Sequence, residues 1–140
     1  MAGILANGTK LGYKTGVETT YTNLEGLQAI PEMGAEAETV EITCLADKNK
    51  RYVKGIGDFG DLEFTFLYDN SSATAPYRVL RGFELSDEIV SFELAYPDGT
   101  KFDFEAQVSV KLSSGEVNGV LTFTAKLTLN SNITAIDPTI

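Results

Sequence analysis

From Lys101 to Ser113 apolar and polar residues alternate without a break. Phe102, Phe104, Ala106, Val108, Val110 and Leu112 fall on one side, and Lys101, Asp103, Glu105, Gln107, Ser109, Lys111 and Ser113 on the other. Successive side chains of a β-strand point to opposite faces, so this pattern predicts a long strand with one buried face. A helix would scatter the same apolar residues around its circumference. Leu121 to Asn130 repeats the alternation, and the Gly-containing stretch Ser114–Gly119 between them fits a hairpin loop.

The same period marks Asp61–Tyr68, Val90–Tyr96 and Val40–Cys44. Shorter strands are expected at Lys10–Lys14, Asn23–Gln28 and Arg51–Lys54. Pro97-Asp98-Gly99-Thr100 is a turn, with Gly99 at a position of positive φ. One helix competes, over Ala75–Gly82, with Pro76 at its start, Tyr77 and Leu80 three apart, and Gly82 as its stop. No linker or low-complexity stretch divides the chain. The fold class is therefore mainly β: one antiparallel β-sandwich or barrel with one short α-helix, a single domain over residues 1–140. The long strands suit a barrel wall or a sheet that continues into a neighbouring subunit.

Composition narrows the chemistry. The chain has no histidine, one cysteine and no tryptophan, and 20 acidic against 11 basic residues give a formal charge of −9. Without histidine the commonest general base and the Ser-His and Cys-His dyads are missing. An acidic chain is poorly suited to gripping phosphates. No run approaches the roughly 18 apolar residues of a membrane span, and MAGILANGTK lacks the basic and long apolar regions of a secretory signal. The three Asn-x-Ser/Thr sites, at Asn7, Asn70 and Asn132, read as turn chemistry.

Each candidate site has an ordinary counterpart. Gly55–Gly60 matches GxGxxG, but a strand follows where the dinucleotide fingerprint needs a helix, so it reads as a flexible loop joining two strands. Asp58 and Asp61 are too few for Ca²⁺. Asp103 and Glu105 are neighbours on one strand face, but Phe102 and Phe104 lie on the other, where they cannot stack on a sugar held by the carboxylates. Cys44 reads as a buried small hydrophobe, with no histidine to activate it. No catalytic residue, metal site or cofactor site is expected. Lys48, Lys50, Arg51 and Lys54 place four of the 11 basic residues within seven positions, and in so acidic a chain they suit an acidic surface of a neighbouring copy.

Several stretches, in this order, carry a family resemblance: Gly8–Tyr13, Leu24–Leu27, Ile30–Gly34, Glu38–Thr43, Lys50–Gly55, Phe64–Asp69, Tyr77 with Leu80, and Tyr96–Phe104. Together they cover most of the chain, which resembles the tail tube (major tail) proteins of long, non-contractile-tailed bacteriophages. The resemblance implies a fold shared with contractile-tail and type VI secretion tubes, and a structural virion protein rather than an enzyme. It further implies hexameric rings stacked into a tube that DNA traverses without being specifically bound. Its partners would be other copies and the tail-tip initiator, tape-measure and tail terminator proteins, with no membrane partner. The protein would be made in the host cytoplasm and reside in the virion tail. No extra immunoglobulin-like domain is expected.

On this reading residues 46–60 form an inter-ring loop using Lys48, Lys50, Arg51 and Lys54, and residues 1–9 and 131–140 are arms that dock on neighbouring subunits. Glu63, Glu93, Asp103 and Glu105, on polar strand faces, are candidates to line the lumen. Two other readings compete: a monomeric β-barrel module binding a small ligand or carbohydrate, and a secretion-system tube protein of the same fold.

Overall fold

The computed structural model describes residues 3–16, 18–34, 36–58 and 60–138, with the backbone alone at Glu36. The strands are β1 (Lys10–Lys14), β2 (Thr22–Leu24), β3 (Leu27–Ala29), β4 (Glu36–Glu41), β5 (Tyr52–Asp58), β6 (Asp61–Leu67), β7 (Val90–Ala95), β8 (Lys101–Leu112), β9 (Thr122–Leu129) and β10 (Thr134–Ile136). Helix α1 (Pro76–Ser86) lies between β6 and β7.

The main antiparallel sheet runs β2-β1-β7-β8-β9-β6-β3, and β10 adds to β8. Strand β8 belongs to both halves: Lys101–Ala106 pair with β7, and Ala106–Leu112 pair with β9. That double pairing accounts for its 12-residue length. The two edge strands, β2 and β3, are separated in sequence only by Glu25 and Gly26. A two-residue link can join opposite edges only if the sheet curls back on itself, so the sheet is rolled into a half-open barrel. Gly26 takes the tight corner at φ 81°.

The alternating residues fill the inside as their period requires. Leu62, Phe64, Phe66, Val90, Phe92, Leu94, Phe104, Ala106, Val108, Phe123, Ala125 and Leu127 are all buried. The turn after β7 forms as its residues dictate: Tyr96 N–H donates to Thr100 O at 2.8 Å, and Gly99 has φ 98°.

Helix α1 is longer than Ala75–Gly82 and runs through Gly82. Local propensity makes Gly82 a stop, but tertiary contacts hold the next turn. Phe83 packs edge-on to Tyr13, with ring centroids 5.5 Å apart. The Glu84 carboxylate accepts the Val110 N–H at 2.5 Å, covering an edge of β8 that β7 leaves unpaired. The helix ends where Asp87 turns left-handed, at φ 54°. Its buried side faces the barrel through Leu80, with Tyr77, Val79 and Phe83 packed on the core.

Two expectations for the chain's connections change. Residues 46–60 are not simply a loop: Tyr52–Asp58 form β5, which pairs with β4 in a separate two-stranded hairpin. Cys44 is exposed in the connection at its tip, not buried. The Val40/Ile42/Cys44 alternation is real, but all three side chains are exposed. Similarly, part of 131–140 is tied to its own subunit, since β10 pairs with Lys101–Asp103 and Ile133 packs on the core. Ile4 and Leu5 are exposed; Met1, Ala2, Thr139 and Ile140 lie outside the described residues.

Candidate functional site: a polar sheet face and a projecting hairpin

In an antiparallel pair, directly opposed residues share a face. Following the register across the sheet gathers Glu63, Glu93, Asp103 and Glu105 onto the one face turned away from the core. The same face holds Asp61 and five lysines, Lys10, Lys14, Lys101, Lys111 and Lys126. Five carboxylates thus meet five ammonium groups, and the face is mixed in charge although the whole chain is strongly acidic. Lys126 reaches Asp61 at 3.0 Å, both half exposed, a pair worth at most about 1 kcal/mol in water.

The acids are unevenly spread. Glu93 on β7 stands directly opposite Asp103 on β8, and Glu105 is on the same face opposite Ser91. One Asp103 carboxylate oxygen, Oδ1, is buried without a hydrogen-bond partner. Burial raises the Glu93 carboxyl above its ordinary range, helped by a hydrogen bond with Asp103 and by that residue's charge, against which Lys101 and Lys14 act weakly. Tyr21 leans over this group: its hydroxyl is also raised, first by burial and then by Asp103, Glu93 and Glu105. Gly12 makes room for it, since a Cβ there would stand 2.9 Å from Tyr21 Cβ. The Lys14 ammonium sits 4.7 Å from the Tyr21 ring centroid, on its face.

The sequence reading selected Glu93 and Asp103 but not their opposition. The signal was present: the tight turn at Pro97–Thr100 fixes the register that brings them together. Lys126 and Tyr21 were missed because a solvated lysine and an isolated tyrosine carry no motif, and Asp61 was weighed only as a calcium ligand.

The Glu93 environment has a pH consequence. An unfolded glutamate titrates near 4.3, and the folded value is higher. The contribution of Glu93 to stability is therefore fully present below the unfolded value and is lost as pH rises through the folded one. Glu93→Gln removes that loss. In urea unfolding the variant is expected to match the parent near pH 4 and to gain on it steadily towards pH 7. A difference that is flat with pH would contradict a raised Glu93 carboxyl.

The basic candidates lie elsewhere. Lys48, Lys50, Arg51 and Lys54 are all exposed on the β4–β5 hairpin and its tip. Arg51 pairs with Asp47 at 3.5 Å, and its N–H donates to Thr43 Oγ1 at 2.9 Å, so it holds the tip together. Asp47 Oδ2 in turn accepts the Cys44 N–H at 2.7 Å. The other three cations make no ion pair among the described residues. The GxGxxG stretch lies largely in β5 and leads into β6, not into a helix. No cluster of three or more potential metal ligands occurs among the described residues.

A rolled antiparallel β domain with one packed helix and an exposed two-stranded hairpin defines the fold class. The chain belongs to the phage tail tube protein family, whose model matches residues 5–138. It is thus a structural component of a tail, not an enzyme. No curated protein sequence matches it. Among solved structures it is similar to a chain of the anti-feeding prophage baseplate, described as 6-fold symmetrised, at 12% identity over 100% of this chain and 99% of that one, with a TM-score of 0.73. A chain from the virion of a native gene transfer agent particle gives 15% identity over 96% of this chain and 100% of that one, with a TM-score of 0.72. A chain from the C6-symmetric tail of an empty gene transfer agent particle gives 17% identity, with 94% and 98% of the two chains covered and a TM-score of 0.71.

Proposed function

We propose that copies of this chain form stacked hexameric rings, and that the resulting tube conducts DNA to the host cell. The observation that carries this reading is the β4–β5 hairpin. Its strand β5 is exposed along its length, with Leu45 and Ile56 almost fully open. An isolated two-stranded hairpin is marginal in water, so this one is completed by a partner. Family membership and the sixfold symmetry described for two structural neighbours support other copies as that partner. The tube's ends would meet tail-tip and terminator proteins, and a tape-measure protein would occupy it before DNA does. The described parts of 1–9 and 131–140 would add contacts between copies.

The polar sheet face is the proposed lumen wall. With five carboxylates balancing five lysines, it offers a passing phosphate backbone no net counter-charge to release ions against. Glu63 and Glu105 are both exposed and outside the Glu93–Asp103 pair. Changing both to Lys would leave seven cations against three carboxylates on each copy. Tubes are expected to form, and DNA release from the particle to slow markedly, most at low salt. Release at the parent's rate at every salt concentration would overturn the lumen assignment. Concentrated protein that gives neither rings nor tubes by electron microscopy would overturn the assembly itself.

A further inference from the structure

Two Asn-Gly steps occur in the chain, Asn7-Gly8 and Asn118-Gly119, and one Asp-Gly step, Asp98-Gly99. Such steps modify themselves. The glycine amide nitrogen attacks the side-chain carbonyl carbon, Cγ, of the residue before it. A five-membered succinimide ring closes, and ammonia leaves from asparagine or water from aspartic acid. Solvent water then opens the ring at either carbonyl. The products are aspartate and its isomer isoaspartate, in which the main chain runs through the side-chain carbon. Glycine is the readiest partner because it puts no side chain beside the attacking nitrogen. Asn7, Gly8, Asn118 and Gly119 are all exposed, so access to water does not tell the two Asn-Gly sites apart.

Hydrogen bonding does. In the turn Glu116–Gly119 the nucleophile is occupied, since the Gly119 N–H donates to Glu116 O at 3.0 Å. The Gly99 N–H likewise donates to Tyr96 O at 3.1 Å. Asp98 is protected twice over. Its Oδ1 accepts the Thr100 N–H at 2.9 Å, and hydrogen bonds from the Thr100 N–H and side chain hold its carboxyl below the ordinary range, in the ionised form that is a poor electrophile. The turn at Asn7 is closed one residue later. There the Thr9 N–H donates to Ala6 O at 3.1 Å and the Thr9 hydroxyl to the same oxygen at 2.7 Å. The Gly8 N–H makes no hydrogen bond among the described residues. The site is also roomy. Pro97, at 3.9 Å, is the nearest group to where a Gly8 side chain would stand. A cavity of about 430 Å³ lies between Ala6–Thr9 and Leu27–Ile30, which leaves space for the Asn7 side chain to swing onto the Gly8 nitrogen.

We infer that Asn7 is a site of spontaneous deamidation to isoaspartate in the folded chain, and that the fold withholds the same reaction from Asn118. The conversion adds one negative charge to each modified copy. The isoaspartate form also adds one main-chain carbon between Ala6 and Thr9. A four-residue turn closed from Thr9 onto Ala6 does not keep its geometry with that extra carbon, so residues 3–6 lose their tie to the start of β1. The modification therefore acts on the exposed segment that bears Ile4 and Leu5 and leaves the barrel as it is.

Peptide mapping by mass spectrometry tests it on the full chain. Protein aged in mildly alkaline buffer at body temperature is expected to gain about one dalton in the peptide that contains residue 7. Enzymatic methylation of the free isoaspartyl carboxyl identifies the isomer. In the folded protein, conversion at Asn7 is expected to outpace conversion at Asn118 by roughly fivefold, the factor that breaking one ordinary hydrogen bond supplies. In concentrated urea both glycine amides are released, and the two rates are expected to converge. Asn7→Gln is expected to remove the product at residue 7, because closing a ring through one more carbon is slow, and to leave Asn118 unchanged. Equal rates at the two sites in the folded protein would overturn the inference, as would an Asn7 that stays intact there. A ratio that persists in urea would trace the difference to neighbouring side chains and overturn the part given to the Gly119 bond.

Discussion

Changing Lys48 and Lys50 to Glu is expected to abolish tube growth while leaving the subunit's urea midpoint within error of the parent. Both side chains are exposed and make no ion pair among the described residues, so their reversal has little to break inside the fold. Arg51 is the wrong target for this purpose, because it ties the tip through Asp47 and Thr43. In an assembly each copy presents the same contact, so a penalty of a few tenths of a kcal/mol to about 1 kcal/mol at each like-charge contact multiplies along every added ring. Sedimentation and negative-stain microscopy at physiological salt check the outcome. Screening by added salt is expected to relieve the double reversal partly, since exposed charges are damped over about 8 Å at physiological ionic strength and over less above it. Parent-like tubes from the reversed protein would mean that the tip meets no charged partner.

The strands that build the barrel were legible because burial on one face forces alternation. Lys101–Leu112 and Thr122–Leu129 follow the pattern residue by residue, and every fully buried residue of the two strands is an inward one, although Leu112 at the end of β8 is exposed. The hairpin was harder for a related reason. Val40, Ile42, Tyr52 and Ile56 look like residues of a core strand, yet all are exposed in the single copy. A sequence records that a face is to be covered, not whether the cover belongs to the same chain. The helix end was misread at Gly82 because its cost of about 1 kcal/mol is outweighed by ties that sequence spacing does not show, Phe83 to Tyr13 and Glu84 to Val110. The split of Asn23–Gln28 into β2 and β3 follows from Gly26 at positive φ, which sends the chain from one sheet edge to the other. At the polar face the individual acids were visible, but their balance by five lysines depends on register across five strands.

Phe123→Ala is expected to be the most damaging core truncation. Phe123 is fully buried at the place where helix and barrel meet. Its ring stacks on Phe66 at 5.3 Å and receives Tyr77 of α1 edge-on at 5.4 Å, and Tyr77 in turn contacts Tyr68 at 5.0 Å. Truncation removes the transfer energy of the ring and leaves a cavity, together about 3–5 kcal/mol. Each aromatic pair lost accounts for roughly 0.5–1.5 kcal/mol of such an effect. Against the 5–15 kcal/mol that a domain of this kind commonly holds, the variant should be partly unfolded at 37 °C. Leu121→Ala provides the contrast. It lies two residues away on the same strand side, but its side chain is more than half exposed, and the expected change in folding stability is within about 0.5 kcal/mol. Urea titrations of the two variants by far-UV circular dichroism therefore separate a core position from an exposed one at the start of β9. If Phe123→Ala cost less than about 1 kcal/mol, the helix would be held to the sheet mainly by Leu80, Phe83 and Glu84. If Leu121→Ala unfolded the isolated chain, exposure would be a poor guide to what the start of β9 contributes to the core.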